Sequence, residues 1–447
     1  MCIRVRTFSD AHCSDTVCTP SRYGLLTGRY SWRTTLKRGV FGAEHPCLIA
    51  QGRTTLASFL RENRYRTAMV GKWHLGMDFP GRPGDRDWAL PVQDMPLDKG
   101  FDYFWGIPAS LNYGILAWFE GRFAEVPPSQ WTRKKANQIA LSDYRIAPPY
   151  QANHAEGLME VAPDFVDSQC LTRFTEQAVN WIESIAQDAR SGRPFFLYLP
   201  LPSPHKPVIP LEQFRGQGNA GAYGEFMIET DWHLGQLLAT LDREKLTRNT
   251  IVIYTSDNGP ENTWRERIRK FDHHSAGPYR GGKRSVYEGG HRVPFFLRWP
   301  DQVKPGSHCR EPICQTDLLA TFADILGQPL PGNAAEDSIS FRQAWHGSAG
   351  QSSARDPIIH HGANGRFAIR KDHWKLIMES RKKGEQRELY NLETDPSEKH
   401  NVLATNPGVE KVLLALLIDI VTSGSTRDGA TTKNDTPPWA DLVWLPR

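Results

Sequence analysis

Three times along this 447-residue chain a helical stripe of apolar side chains is followed by a short apolar run, and each run ends in reactive polar residues. Leu56, Phe59 and Leu60 form the first stripe, and RTAMVG (66–71) reads as the buried strand after it. Phe174, Ala178, Trp181, Ile182 and Ile185 form the second, ahead of PFFLYLPL (194–201), which reads as a continuous buried strand. Phe226, Leu234, Leu237, Leu238 and Leu241 form the third, ahead of the β-branched run TIVIYTS (250–256). Helical and strand patterns that alternate in this way predict an α/β fold, a large and mostly parallel sheet flanked by helices. Lys72 and His74 sit in GKWHLG after the first strand, His205 in PSPHKP after the second, and Asp257 with Asn258 in DNG after the third. Open α/β sheets bind ligands outside the carboxyl ends of their strands, so these residues are expected to converge on one crevice. A single loop histidine or lysine is more often merely solvated. Polar residues after three consecutive strands argue for a site.

Upstream of all three units stands Cys18-Thr19-Pro20-Ser21-Arg22, continued as YGLLTGRY. Pro20 suits the first turn of a helix and Gly28 a stop, which predicts a short helix with Cys18 at its N-terminus. Free amides and the helix dipole favour an oxyanion there, and Arg22, one turn on, can hold that anion beside the cysteine. The plain structural alternative is a buried cysteine ahead of a capped helix.

Typical domains run to about 100 to 200 residues, so a chain of this length calls for more than one simple core. Residues 77–165 interrupt the rhythm with Pro, Gly, Trp and Tyr, as in FPGRPGDRDW and GFDYFWGIPASLNYG. They read as an irregular insertion on the strand-end side, where aromatic faces suit sugars. Beyond about residue 355 alternating strands and a terminal amphipathic helix predict a small α+β subdomain, dividing the chain into 1–355 and 356–447. A net charge of +4 is too small to point to nucleic acid or a membrane surface. The most apolar run, VLLALLIDIV near residue 412, is shorter than the roughly 20 residues a span needs and contains Asp419. The opening MCIRVRTFSDAH lacks the apolar centre of a secretion signal. Seven cysteines match no zinc pattern, and free or buried thiols are expected for all but Cys18, with Cys309 and Cys314 able to pair in an oxidising compartment.

The order CTPSR, GKWHLG, a histidine after a strand, DNG, and a lysine before EGGHRVP resembles the layout of type I, formylglycine-dependent sulfatases of the alkaline phosphatase superfamily. The likeness runs from about residue 8 to the end and takes in QTDLLATFADILG (315–327) and ELYNLETDPSEKHN. It implies that a maturation enzyme oxidises Cys18 to formylglycine, whose hydrate attacks sulfur while Arg22 and one calcium ion stabilise the alkoxide. It implies Asp257, Asn258 and the modified Cys18 as metal ligands, with Asp257 also the base toward the attacking hydroxyl. Lys72 and Lys283 would neutralise sulfate oxygens, His205 and Lys283 are the candidates for protonating the departing alcohol, and His74 would deprotonate the second hydroxyl. His291 in EGGHRVP, His273 and His274 in FDHHSAGPYRGG, and Asn112 are candidates to line the substrate pocket.

One departure stands out against that layout. Such sulfatases open on a buried strand that ends in paired aspartates, both metal ligands, whereas Asp10 and Asp15 here follow no apolar strand. An N-terminally truncated chain is expected, one that binds calcium weakly and turns over sulfate esters poorly, its full-length form secreted or periplasmic. The implied reaction is removal of sulfate from a sulfated carbohydrate or aryl sulfate. Hydrolysis of phosphonate or phosphate diesters is one alternative, and an inactive remnant that binds sulfated glycans is another.

Overall fold

A computed structural model describes residues 4–133, 150–346, 357–382, 384–430, 432–437 and 441–446. The Arg66–Lys72 strand pairs in parallel with Phe195–Tyr198 on one side and Tyr103–Ile107 on the other. Phe119–Glu120 and Phe123–Ala124 extend that sheet in antiparallel fashion. A second sheet runs Val252–Thr255, Phe295–Arg298, Arg6–Phe8, His308–Cys309, with only its last pair parallel. The helices Leu56–Glu62, Cys170–Arg190 and Gly221–Arg243 precede the three strands read from the sequence, as an α/β chain requires.

The fold is α/β, as the sequence predicts, and among the described residues its main strands lie in two sheets, each containing antiparallel pairs. Phe195–Tyr198 and Val252–Thr255 stand at the edges of their sheets, and all four residues of each are half-buried rather than fully buried. An edge strand has a neighbour on one side only, and an apolar run does not reveal on which side pairing stops. The 77–165 stretch differs too, because Tyr103–Ile107 is a core strand. Trp105 and Trp118 stack at a centroid distance of 5.3 Å and meet Phe174 of the Cys170–Arg190 helix edge-on. These aromatic side chains are core, not exposed platforms for sugar.

After residue 357 the architecture changes to one antiparallel sheet, Ile358–His361, Phe367–Lys371, Trp374–Ile377 and Glu388–Asn391, in sequence order. The Pro407–Ser423 helix buries Leu413, Leu417, Ile420 and Val421 in a core that also holds Tyr30 and Trp32. Each such aliphatic side chain contributes about 1.5–3 kcal/mol, so this helix is a packing element. Among the described residues no helix is long and apolar enough to cross a membrane. Among the described residues no disulfide forms, and Cys309 and Cys314 do not pair.

Candidate active site

Cys18 opens the Cys18–Thr27 helix, preceded by extended Val17 and closed by Gly28, whose N–H bonds the Gly24 carbonyl at 2.9 Å and whose φ of 63° then turns the chain out of the helix. Within this helix Arg22 points the same way as Cys18. Its Nε donates to Asp257 Oδ2 at 2.9 Å and its Nη1 to the Lys72 carbonyl at 2.7 Å. The guanidinium thereby ties the helix to the ends of two strands, one in each sheet. Lys283 Nζ lies 3.6 Å from Cys18 Sγ, and Asn258 Oδ1 lies 3.5 Å from it on another side. A cavity of about 770 Å³ opens over this group, lined by Cys18, Arg22, Lys72, His205, Asp257, Asn258 and Lys283.

Burial and charge set the protonation states. Burial lowers Lys72 to about 8, and Arg22 and Lys283 push it the same way against the pull of Cys18 and Asp257. Burial acts to raise Asp257, but Arg22, Lys72 and Lys283 outweigh it and hold the carboxyl below its ordinary value. Burial, then the nearby lysines, keep His205 and His74 well below the ordinary imidazole value, so both are neutral at pH 7. His205 Nδ1–H donates to the Lys206 carbonyl at 2.6 Å, which leaves its Nε2 as an acceptor. His74 donates from Nε2 to the Phe41 carbonyl at 2.9 Å, and its Nδ1 is buried with no hydrogen-bond partner among the described residues. The arrangement is a cationic anion pocket around one thiol, with neutral imidazoles beside it.

The weaker candidates fare differently. His74 is fully buried and is not among the residues lining the cavity, and Asn112 is buried beside the His205 loop, its Nδ2 3.5 Å from the Lys206 carbonyl. His273 bonds Ser275 and His274 faces the exposed Asp272, and neither lines the cavity. His291 does not line it either: it is fully buried against His12, His360 and Lys375, because EGGHRVP turns back into the protein interior. Sequence reasoning missed Glu261, a lining carboxylate toward which Lys283 Nζ at 3.8 Å, Lys206 Nζ at 4.0 Å and Arg284 all point. Burial acts to raise Glu261, but Arg284 and Lys283 bring it down to about 2, so it is a fixed anion. Its position three residues after Asn258 was the available signal.

Asp257 and Asn258 are hard oxygen donors of the kind calcium prefers, yet calcium takes six to eight oxygens. Among the described residues Glu261 is the one further carboxylate lining the cavity, and it is committed to three cations. The donors present therefore do not form a calcium shell by themselves.

Residues 3–328 fit the protein-family model described as Sulfatase. The chain belongs to the sulfatase family. It is thereby a sulfuric ester hydrolase of the alkaline phosphatase superfamily, and residues 280–422 of this sulfatase also fit the model described as N-sulphoglucosamine sulphohydrolase, C-terminal. An N-acetylgalactosamine-6-O-sulfatase of Bacteroides thetaiotaomicron is 32% identical over 453 residues, covering 93% of this chain and 86% of that one. An arylsulfatase of Hemicentrotus pulcherrimus is 28% identical, and the sulfatase spans 63% of its length. A solved structure from a Bacteroides thetaiotaomicron locus for glycosaminoglycan metabolism superposes with a TM-score of 0.80 at 30% identity, covering 94% of this chain and 92% of that one.

Proposed function

We propose that this sulfatase removes sulfate from a sulfated carbohydrate, with Cys18 as the site of the nucleophile. The observation that supports this most is the thiol at a helix N-terminus, under Arg22 and Lys283, at the floor of a cavity of about 770 Å³. Oxidised to formylglycine and hydrated, Cys18 would supply paired hydroxyls for attack on sulfur. Asp257 and Asn258 are the oxygens this chain would offer a calcium ion, which when bound polarises sulfate oxygens. Lys72, Lys283 and Arg22 hold the sulfate by charge, and the Asp257 carboxylate is ready to take a proton from an attacking hydroxyl. Neutral His205, with its proton on Nδ1, accepts rather than donates, which leaves Lys283 as the proton source for the departing alcohol. His74 Nδ1, unpartnered and carrying a lone pair, suits removal of a later proton. Residues 1–355 would form the catalytic unit and 356–447 a supporting subdomain. A polymeric sulfated substrate is met outside the cytoplasm, which fits a secreted or periplasmic enzyme.

Sulfate release from 6-O-sulfated N-acetylgalactosamine, an aryl sulfate and a phosphonate diester, each after co-expression with a formylglycine-generating enzyme, tests this reading. Turnover highest on the sulfated sugar supports it. Preference for the phosphonate, or binding of sulfated glycan without turnover, refutes it.

The Lys72 ammonium sets an alkaline limit. Lys72 is protonated below about 8 and loses its charge above it, so turnover falls as pH rises through that value. Lys72→Arg keeps a charge to far higher pH and removes this limb of the profile. An unchanged limb in that variant would assign it to another group.

A further inference from the structure

Three histidines unconnected with the cavity meet in the interior: His12 from the Ala11–His12 strand, His291 from the short Glu288–His291 helix, and His360 from the Ile358–His361 strand. All three have no exposed surface. Their ring centroids lie 5.1, 5.0 and 3.6 Å apart, and one ligand atom of each lies within 4.8 Å of the others. Interior histidines normally have their nitrogens satisfied. His360 has neither: both of its ring nitrogens are buried without a hydrogen-bond partner among the described residues. We propose that His12, His291 and His360 form a structural site for one divalent ion of the zinc class.

The surroundings fit imidazole ligation. His12 Nε2 lies 2.7 Å from Asp10 Oδ1 and 3.0 Å from Arg370 Nη1; donation to the closer carboxylate leaves the lone pair on Nδ1, and a carboxylate behind a ligating histidine is the usual outer support. His291 Nε2 lies 3.2 Å from the Val286 carbonyl and 3.0 Å from Lys375 Nζ, and in the tautomer that donates to Val286 its Nδ1, 3.0 Å from His12 Nδ1, carries the lone pair. Two such nitrogens at that distance need either a shared proton or a cation between them. His360 stacks flat on His291, with an interplanar angle of 11°, and must swing to ligate; no hydrogen bond of its own opposes that. Glu288, with Oε1 3.6 Å from His291 Nε2, is a further buried carboxylate beside the cluster. Asp10, Glu288 and Glu398 are paired with Arg370, Lys375 and Arg292 around the cluster. Burial holds the imidazoles in their neutral, ligating form. Nitrogen donors select zinc, copper or nickel over calcium, the cation that hard oxygens such as those of Asp257 and Asn258 prefer. An ion here would fasten the segment leading to Cys18 and the one following Lys283 to the C-terminal sheet.

The test uses the whole chain, stripped with a chelator and titrated with Zn2+ or with Co2+ alone. One equivalent bound, the visible absorption of tetrahedral cobalt, and a raised melting temperature are expected. Binding should persist in Asp257→Ala and vanish in His360→Ala. Absence of binding by the folded parent, or binding that His360→Ala leaves unchanged, overturns the proposal in favour of a shared proton between His12 and His291. Should His360→Ala fail to fold, X-ray absorption on the zinc-loaded parent decides, since imidazole nitrogens around zinc support the site and an all-oxygen shell overturns it.

Discussion

A Cys18→Ala chain, co-expressed with a formylglycine-generating enzyme, turns over aryl sulfate on the order of 10⁴ to 10⁶-fold more slowly than the parent treated alike, the range seen when a nucleophile or its partner is deleted. The reason lies in what alanine removes and what it spares. Cys18 Sγ is the atom that both Lys283 Nζ and Asn258 Oδ1 approach, at 3.6 and 3.5 Å. Arg22, Lys72 and Lys283 remain in place, so the sulfate is still held and the loss falls on kcat far more than on KM. Cys18→Ser sharpens the result. A serine supplies one hydroxyl with no geminal second, so the reaction stops after one alcohol is released per chain, and product stoichiometry reads this directly. Parent-like kcat in Cys18→Ala would sink the assignment of Cys18.

How much of this was legible in the sequence depends on how local each signal is. The Cys18–Thr27 helix was readable because Pro20 and Gly28 act within one or two turns. Lys72, His205, Asp257 and Asn258 were readable because strand periodicity alone brings strand ends together. His291 was not, since what fixes it is contact with His12, 279 residues away in sequence, and with Lys375, 84 residues away. A histidine in a glycine-rich turn looks the same whether the turn faces a cavity or the interior. Glu261 escaped for a related reason: its place three residues after Asn258 puts it near the site, but its role comes from Lys206, Lys283 and Arg284 converging on it from elsewhere in the chain. The Tyr103–Ile107 strand was hidden by flanking Gly and Pro that signal turns, although Phe104 and Trp105 are wholly buried. For His291 and Glu261 long-range partners decided the outcome, and for Tyr103–Ile107 local turn signals masked a strand.

The largest stability effect is expected at Asp337. Its carboxylate has no exposed surface and accepts from Arg33 Nε at 2.8 Å and Nη2 at 2.7 Å, from the Tyr30 amide at 2.8 Å, and from Thr426 Oγ1 at 3.0 Å. Arg33 is equally buried and reaches on to the Ile420 carbonyl and Asn434, so the pair joins the loop after the Cys18 helix to the C-terminal helix. Asp337→Ala strands the guanidinium in the interior, and removing one partner of a buried ion pair costs about 3–5 kcal/mol. Because the remaining charge, not the lost attraction, dominates that cost, replacing both partners with apolar residues, Arg33→Met with Asp337→Leu, is expected to cost less than Asp337→Ala alone. The pH dependence follows in sign. Burial acts to raise Asp337, but Arg33 outweighs it and holds the carboxyl below 3.8. Its contribution is thus complete above that unfolded value and is lost as pH falls through the lower folded one. Denaturant unfolding of parent, single and double variants at pH 7 and again in acid measures both claims. A double variant less stable than Asp337→Ala, or a single variant within 1 kcal/mol of the parent, an estimate set by ordinary surface changes, would show that the pair is not a buried ionic joint.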